Sequence, residues 1–121
     1  MYSVKVKEHI MIAHSLPDPY FGPARNMHGA TFVVNAIFRS KRLNDKNVVI
    51  DIGEAIEILK GVLSSLAYKN LDELPQFKGI LTTTEFLAAH IHQHVREKIE
   101  GHILLKIELD ESHIASASYE D

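Results

Sequence analysis

The sequence of 121 residues contains no cysteine and no tryptophan. The absence of cysteine excludes disulfide bonds, a thiolate nucleophile and thiolate metal ligands. No apolar run reaches the length of a signal-peptide core or a membrane span, so the sequence predicts a cytoplasmic protein. A formal net charge of −3 gives no reason to expect nucleic acid or an acidic membrane surface as a partner.

What the chain does contain is typical of a soluble globular protein, with 45% hydrophobic and 24% charged residues. Its length predicts a single domain over residues 1–121 with one core. Eight histidines stand out in a chain of this size, and they raise the question of a bound metal.

The spacing of apolar residues predicts the order of the structural elements. Strict alternation predicts strands over residues 2–14, 28–38 and 103–111, with a last short strand around His113–Tyr119. Residues 15–27 hold three prolines and a glycine and are predicted to form a loop. The order strand, strand, helix, helix, strand, strand favours an α+β fold, in which two helices cover one face of an antiparallel four-stranded sheet.

Both helices are predicted from a capping pattern followed by an apolar stripe. The first opens at Asp51 with Glu54 three residues later, and its expected core stripe is Ile52, Ala55, Ile56, Leu59, Leu63 and Leu66. The second opens at Thr82 with Glu85 three residues later and is expected to end at Gly101. Its stripe is Leu87, Ala88, Ile91, Val95 and Ile99.

The histidines divide into a pair that suggests a site and others that suggest surface. His14 and His28 flank the proline-rich loop and share the apolar faces of their strands, so they can bind one metal or serve as hydrogen-bonded core residues. His90, His92 and His94 lack the glutamate of the zinc-protease motif and are predicted to lie in solvent, as are His9 and His102. His113 follows Glu111 by two residues and is a weaker candidate for the same neighbourhood.

Six segments together resemble the 6-pyruvoyltetrahydropterin synthase and 6-carboxytetrahydropterin synthase family, and the resemblance runs nearly end to end. Their order and spacing agree with the family's motifs: IAHSL, ARNMHGATF, NVVIDIGEAIEILK, LAYKNLDEL, LTTTEFLA and LDESHIASASY. The resemblance implies a T-fold, whose sheets close into a trimeric barrel that stacks into a hexamer. It also implies elimination of phosphate from dihydroneopterin triphosphate. In that reaction three histidines hold zinc, a cysteine takes a proton, an Asp-His pair assists, and a glutamate anchors the pterin.

The sequence retains the family's zinc-binding and nucleophile positions only in part. By resemblance, His14 and His28 match the first two zinc ligands, while Ala30 stands at the third. Ala24 stands where the family has its catalytic cysteine, and a methyl group cannot act as a base. The resemblance therefore implies a zinc site with an incomplete ligand set, which needs a third donor from His113 or from a neighbouring subunit.

The pterin-binding positions are retained better than the catalytic ones. Glu111 matches the pterin anchor, and Thr83 and Thr84 match the loop that lines the pterin pocket. Ala67 and Tyr68 replace the Asp-His pair. Tyr68 either supplies a catalytic hydroxyl or fills the volume of the missing histidine.

Two functional hypotheses follow from the resemblance. The first is a divergent carbon–oxygen lyase that acts on a dihydroneopterin phosphate or a related reduced pterin, with Arg25 holding the phosphate. The second is a non-catalytic oligomer that binds a pterin or a purine-like ligand.

Overall fold

Four strands form one antiparallel sheet, because their side chains alternate between an apolar and a polar face. In the computed structural model, which describes residues 1–121, the strands are β1 (Tyr2–His14), β2 (His28–Ser40), β3 (Leu104–Ser112) and β4 (Ala115–Glu120). They lie in the order β1-β2-β3-β4, so β1 and β4 form the two edges. The register pairs Tyr2 with Ser40 at one end of the sheet and His14 with His28 at the other.

Two helices cover one face of this sheet and enclose the core. Helix α1 (Ile52–Leu63) packs on β1, and α2 (Thr84–Arg96) packs on β3 and β4. The largest fully buried side chains between these layers include Phe32, Val34, Phe38, Leu59, Leu87, Ile91, Leu105, Ile107 and Leu109. The predicted α+β fold class is confirmed. Neither helix combines the length and the apolar character needed to cross a membrane.

Helix α1 begins as predicted but turns a slightly different face to the core. The Asp51 carboxylate accepts a hydrogen bond from the Glu54 N–H at 2.9 Å, which satisfies one of the free donors of the first turn. The prediction that Ile52 is a core residue was wrong, since 59% of its surface is exposed. Ile52 is the first helical residue, and it lines a surface groove with Tyr2 and Val4. Val62 is buried in addition to the predicted stripe.

Helix α2 begins one residue later and ends earlier than its sequence pattern predicts. Thr83, and not Thr82, is the N-cap, because its hydroxyl accepts from the Phe86 N–H at 3.1 Å. The helix ends at Arg96 and not at Gly101. Its early end has a local cause, since the Arg96 guanidinium donates to the carbonyls of Glu100 and Ile103 and holds the following residues in a turn.

The prediction that the histidines of α2 lie in solvent was wrong for His92, which is 6% exposed. Its Nε2 lies 3.0 Å from Oδ1 of Asp121 but is not aligned for a hydrogen bond, so the contact is electrostatic. Burial works to raise the pKa of Asp121, but hydrogen bonds from the Leu105 N–H and the Arg96 guanidinium hold that pKa below its ordinary value. This cluster fastens the last residue to α2 and β3.

The connections at the His14 end are more ordered than the predicted loops. Residues 15–27 contain a 3₁₀ helix (Pro19–Arg25), and the segment after α1 contains two more (Leu71–Glu73 and Pro75–Phe77). The Tyr68 N–H donates to the Met11 carbonyl at 2.7 Å, and this bond fastens the segment after α1 to β1. The last strand starts at Ala115, which leaves His113 in the preceding turn.

Candidate functional site

One cavity gathers most of the residues that the sequence singles out. It lies at the end of the sheet where β1 stops and β2 starts, and the first turn of α2 and the end of β3 close it. Its volume is about 250 Å³, and its walls are His14, Leu16, Phe21, Ala24, His28, Ala30, Phe32, Thr83, Thr84, Glu85 and Glu111. A larger groove of about 450 Å³ nearby has no histidine on its walls.

The two histidines of this cavity are direct cross-strand neighbours. His14 pairs with His28 in the β1–β2 register, and their ring centroids are 4.6 Å apart at an interplanar angle of 65°. The Nδ1 atom of His28 lies 2.8 Å from the Asn26 carbonyl oxygen. Because a carbonyl only accepts hydrogen bonds, this Nδ1 carries a proton and donates it to Asn26, and Nε2 is not used by this bond.

His14 is held more deeply than His28. It is 4% exposed, and its Nδ1 lies 3.0 Å from the hydroxyl oxygen of Thr82. Burial and the neighbouring His28 lower the pKa of His14, while Asp72, Glu111 and the contact with Thr82 act in the opposite direction. His14 is therefore a neutral imidazole at neutral pH, and its Nε2 is not used by the bond to Thr82.

Two imidazoles with their Nδ1 atoms engaged are suited to a metal, but the chain supplies no third ligand. Catalytic zinc keeps three protein ligands and one open position. No group of three histidine, aspartate or glutamate side chains lies close enough to hold an ion. Ala30 lies on the same face of β2 as His28, two residues on, and offers only a methyl group. His113, the predicted third ligand, lies in an exposed turn and does not line the cavity. The donor set of this chain alone therefore does not fit the zinc that the resemblance implies.

Glu111 brings a free carboxylate to the cavity. The pairing of β3 with β4 shifts between Asp110 and Ser112, so Glu111 has no partner opposite it. It forms no ion pair within the chain, and its side chain lines the cavity. A free carboxylate accepts hydrogen bonds from a ligand that carries two neighbouring N–H groups.

The two threonines at the start of α2 form the opposite wall. Thr83 and Thr84 both line the cavity, as the resemblance implies. The Thr83 oxygen already accepts from the Phe86 N–H, so its own O–H is free to donate to a ligand.

Besides His113, two of the residues singled out by the sequence lie outside the cavity. Tyr68 is 85% exposed and has a positive φ of 61°, and it does not line the cavity. Arg25 is exposed at the end of its 3₁₀ helix, beside Ala24, and is also absent from the cavity wall. The structure therefore brings no tyrosine or arginine side chain to the two histidines.

Sequence reasoning assigned Thr82 the wrong role. The capping pattern made it the first residue of a helix, but it is 2% exposed and supports His14. The run of three threonines at 82–84 was the available signal, since only one of them can cap the helix. The aromatic walls Phe21 and Phe32 come from the 3₁₀ helix Pro19–Arg25 and from β2, and no motif marked Phe21.

Solved structures of known proteins share this fold. The structure of 6-pyruvoyl tetrahydropterin synthase from Caenorhabditis elegans matches with a TM-score of 0.88 at 19% identity, over 99% of this chain and 95% of that one. A catalytic-residue mutant of the Plasmodium vivax 6-pyruvoyltetrahydropterin synthase matches with a TM-score of 0.80 at 15% identity, over 99% and 97% of the two chains. Identities this low show a common fold and nothing further.

Sequence comparison gives the family. A 6-pyruvoyl tetrahydrobiopterin synthase from Dictyostelium discoideum is 37% identical over 73 residues, which are 59% of this chain and 54% of that protein. The match therefore spans about half the length of this curated relative. The family model for 6-pyruvoyl tetrahydropterin synthase matches residues 3–121. With nearly its whole length matched, the chain belongs to the 6-pyruvoyl tetrahydropterin synthase family.

Proposed function

We propose that this protein binds a reduced pterin in the cavity between His14 and Glu111 and does not carry out the family's standard side-chain reaction. One observation supports this most directly. The cavity keeps an unpaired carboxylate at Glu111, while Ala24 and Ala30 present methyl groups on the same wall.

Recognition of the pterin depends on N–H groups of the ligand that donate to the free carboxylate of Glu111. The aminopyrimidine edge of a pterin carries an amino group and a ring N–H side by side, and a carboxylate accepts from both in a bidentate arrangement. Phe21 and Phe32 supply apolar walls for the flat ring system. Thr83 and Thr84 add hydroxyl groups that can donate to the ring oxygen or accept from a ring N–H.

The cavity lacks the proton-transfer groups that the family's standard reaction requires. A methyl group at Ala24 cannot take a proton from carbon. Tyr68, which replaces one member of the family's assisting pair, is 85% exposed and outside the cavity. Ala67, at the other position of that pair, has no group that can bind a proton.

A divergent lyase remains the second candidate function. The observation that favours it is the presence of two imidazoles in the cavity, of which His14 is neutral at neutral pH because burial and the neighbouring His28 lower its pKa. In this alternative the substrate is a dihydroneopterin phosphate, and Arg25 holds the phosphate after a movement of its loop. The two candidates differ in whether a bound dihydroneopterin phosphate is recovered unchanged.

We also propose that the protein works as a homo-oligomer. Strands β1 and β4 each leave one edge without a partner, and β1 is 13 residues long. Long open edges pair with other chains unless they are covered. The family resemblance implies closure into a trimeric barrel and a hexamer.

Analytical ultracentrifugation is expected to give the mass of three or six chains, and a stable monomer at micromolar concentration contradicts this assembly.

Glu111→Ala is expected to weaken binding of dihydroneopterin by at least about fivefold, because the loss leaves ligand donors unpaired at a cost of roughly 1–3 kcal/mol. Isothermal titration calorimetry measures this change. Glu57→Ala is the matched control, since Glu57 is exposed on α1 and does not line the cavity. Equal affinities for wild type and Glu111→Ala would remove the basis of the proposed function.

Ala30→His is expected to create a zinc site. Position 30 lies on the cavity wall beside His28, so an imidazole there joins the imidazoles of His14 and His28 as a third ligand. After dialysis against a mild chelator, mass spectrometry of the metal content is expected to find about one zinc per chain in this variant. Wild type and Ala30→Gln, which fills similar space without an imidazole, are expected to retain little.

Stoichiometric zinc in the assembled wild-type protein contradicts this expectation, since it requires a third ligand from another chain. The expectation also fails if Ala30→His retains no more zinc than Ala30→Gln. Replacing His14 by alanine in the Ala30→His background is expected to release the metal.

A further inference from the structure

A second groove lies at the opposite end of the sheet from His14 and is not used by the proposed function. It forms where β2 ends and β3 begins, and it has a volume of about 420 Å³. Its walls are Met1, Ser40, Lys41, Arg42, His102 and Leu104. Since Tyr2 pairs with Ser40 and His14 with His28, the length of β1 separates the two sites by roughly 40 Å at 3.3 Å per residue.

The charge of this groove differs from that of the other main cavities. Of the other four main cavities, one has two lysines and three carboxylates on its wall. Each of the remaining three has at least one carboxylate on its wall. The groove beside Ser40 has cationic side chains and no carboxylate. In a chain with a formal net charge of −3, this is a local excess of positive charge.

Two of its cations have no ionic partner within the chain. Neither Lys41 nor Arg42 takes part in any of the ion pairs, whereas Nδ1 of His102 lies 3.4 Å from Oε2 of Glu100. The side-chain charge available to a ligand therefore comes from Lys41 and Arg42. The preceding cation, Arg39, is already paired with Glu120 at 3.5 Å.

A buried serine stabilises the turn that carries these cations. Ser40 is 3% exposed, and its hydroxyl oxygen accepts from the Arg42 N–H at 3.2 Å. This bond fixes the backbone so that Lys41 and Arg42 both line the groove. The wall of the groove also has an apolar part. Leu104 and Met1 are exposed there, and the aliphatic stems of Lys41 and Arg42 add to it.

We propose that this groove binds a small organic anion, namely a phosphate monoester attached to an apolar or aromatic group. The guanidinium of Arg42 pairs with two phosphate oxygens, and the Lys41 ammonium adds a point charge. The apolar part of the ligand lies against Leu104. The volume of the groove is within the ordinary range for small-molecule sites.

Calorimetric titration of the whole protein with phenyl phosphate tests this assignment. Saturable binding is expected, and it weakens as salt is added because the cations are exposed. The double variant Lys41→Gln/Arg42→Gln is expected to bind at least about tenfold more weakly, since two charge contacts are lost.

The matched control is Lys5→Gln/Lys7→Gln, which removes the same charge from exposed positions of β1 outside the groove. It is expected to bind like wild type, and inorganic phosphate is expected to bind more weakly than phenyl phosphate. Three results overturn the proposal: no saturable binding, an equal loss in the control variant, or equal affinity for inorganic phosphate. All variants change exposed residues, so thermal melts like that of wild type are expected.

Discussion

The register between β1 and β2 is the constraint on which the rest of the site depends. It places His14 opposite His28 and, two residues away on the same face, Ile12 opposite Ala30. A slip of one residue would move every side chain of one strand to the other face of the sheet. Because that face also buries Val34 and Phe38, the core fixes the register, and the register in turn fixes the pair of histidines. The geometry of the site is therefore a by-product of core packing, and it persists whether or not the site is catalytic.

The polar groups around the pair show how two imidazoles are kept at the edge of an apolar core. The Asn26 carbonyl and the Thr82 hydroxyl satisfy their inner nitrogens, so each ring has its Nδ1 paired. Two charged rings with centroids 4.6 Å apart would repel each other, and the lowered pKa of His14 reflects both this neighbour and its burial. The same pair of imidazoles can hold a zinc ion only with a third ligand. By resemblance the position of that ligand is Ala30, which offers no donor atom.

Much of the fold could be predicted from the sequence, because period-two alternation and the apolar stripes are properties of local sequence. The start of α1 at Asp51 is local in the same way. The sequence predictions were wrong where tertiary contacts decide between residues that local sequence patterns do not distinguish. Thr82 and Thr83 have equal capping ability, and the need to support His14 decided which one capped α2. Burial of His92 depends on Asp121, which is distant in sequence, and no local pattern contains that contact. The cavity walls at His14, His28 and Glu111 agree with the family resemblance, but the exposure of Tyr68 depends on a loop that no periodicity describes.

In the proposed function, family membership and activity separate, because the chain matches the family over residues 3–121 while alanines stand at positions 24 and 30, where the resemblance implies reactive groups. The central claim is that the cavity recognises a reduced pterin without transforming it. Anaerobic incubation of the protein with dihydroneopterin triphosphate and zinc, followed by chromatography of the pterins and of the released inorganic triphosphate, tests this claim most directly. The account predicts that the pterin is recovered with its side chain intact and that no inorganic triphosphate is released above a protein-free control. Catalytic release of inorganic triphosphate, lost on replacement of His14 or His28, would contradict it.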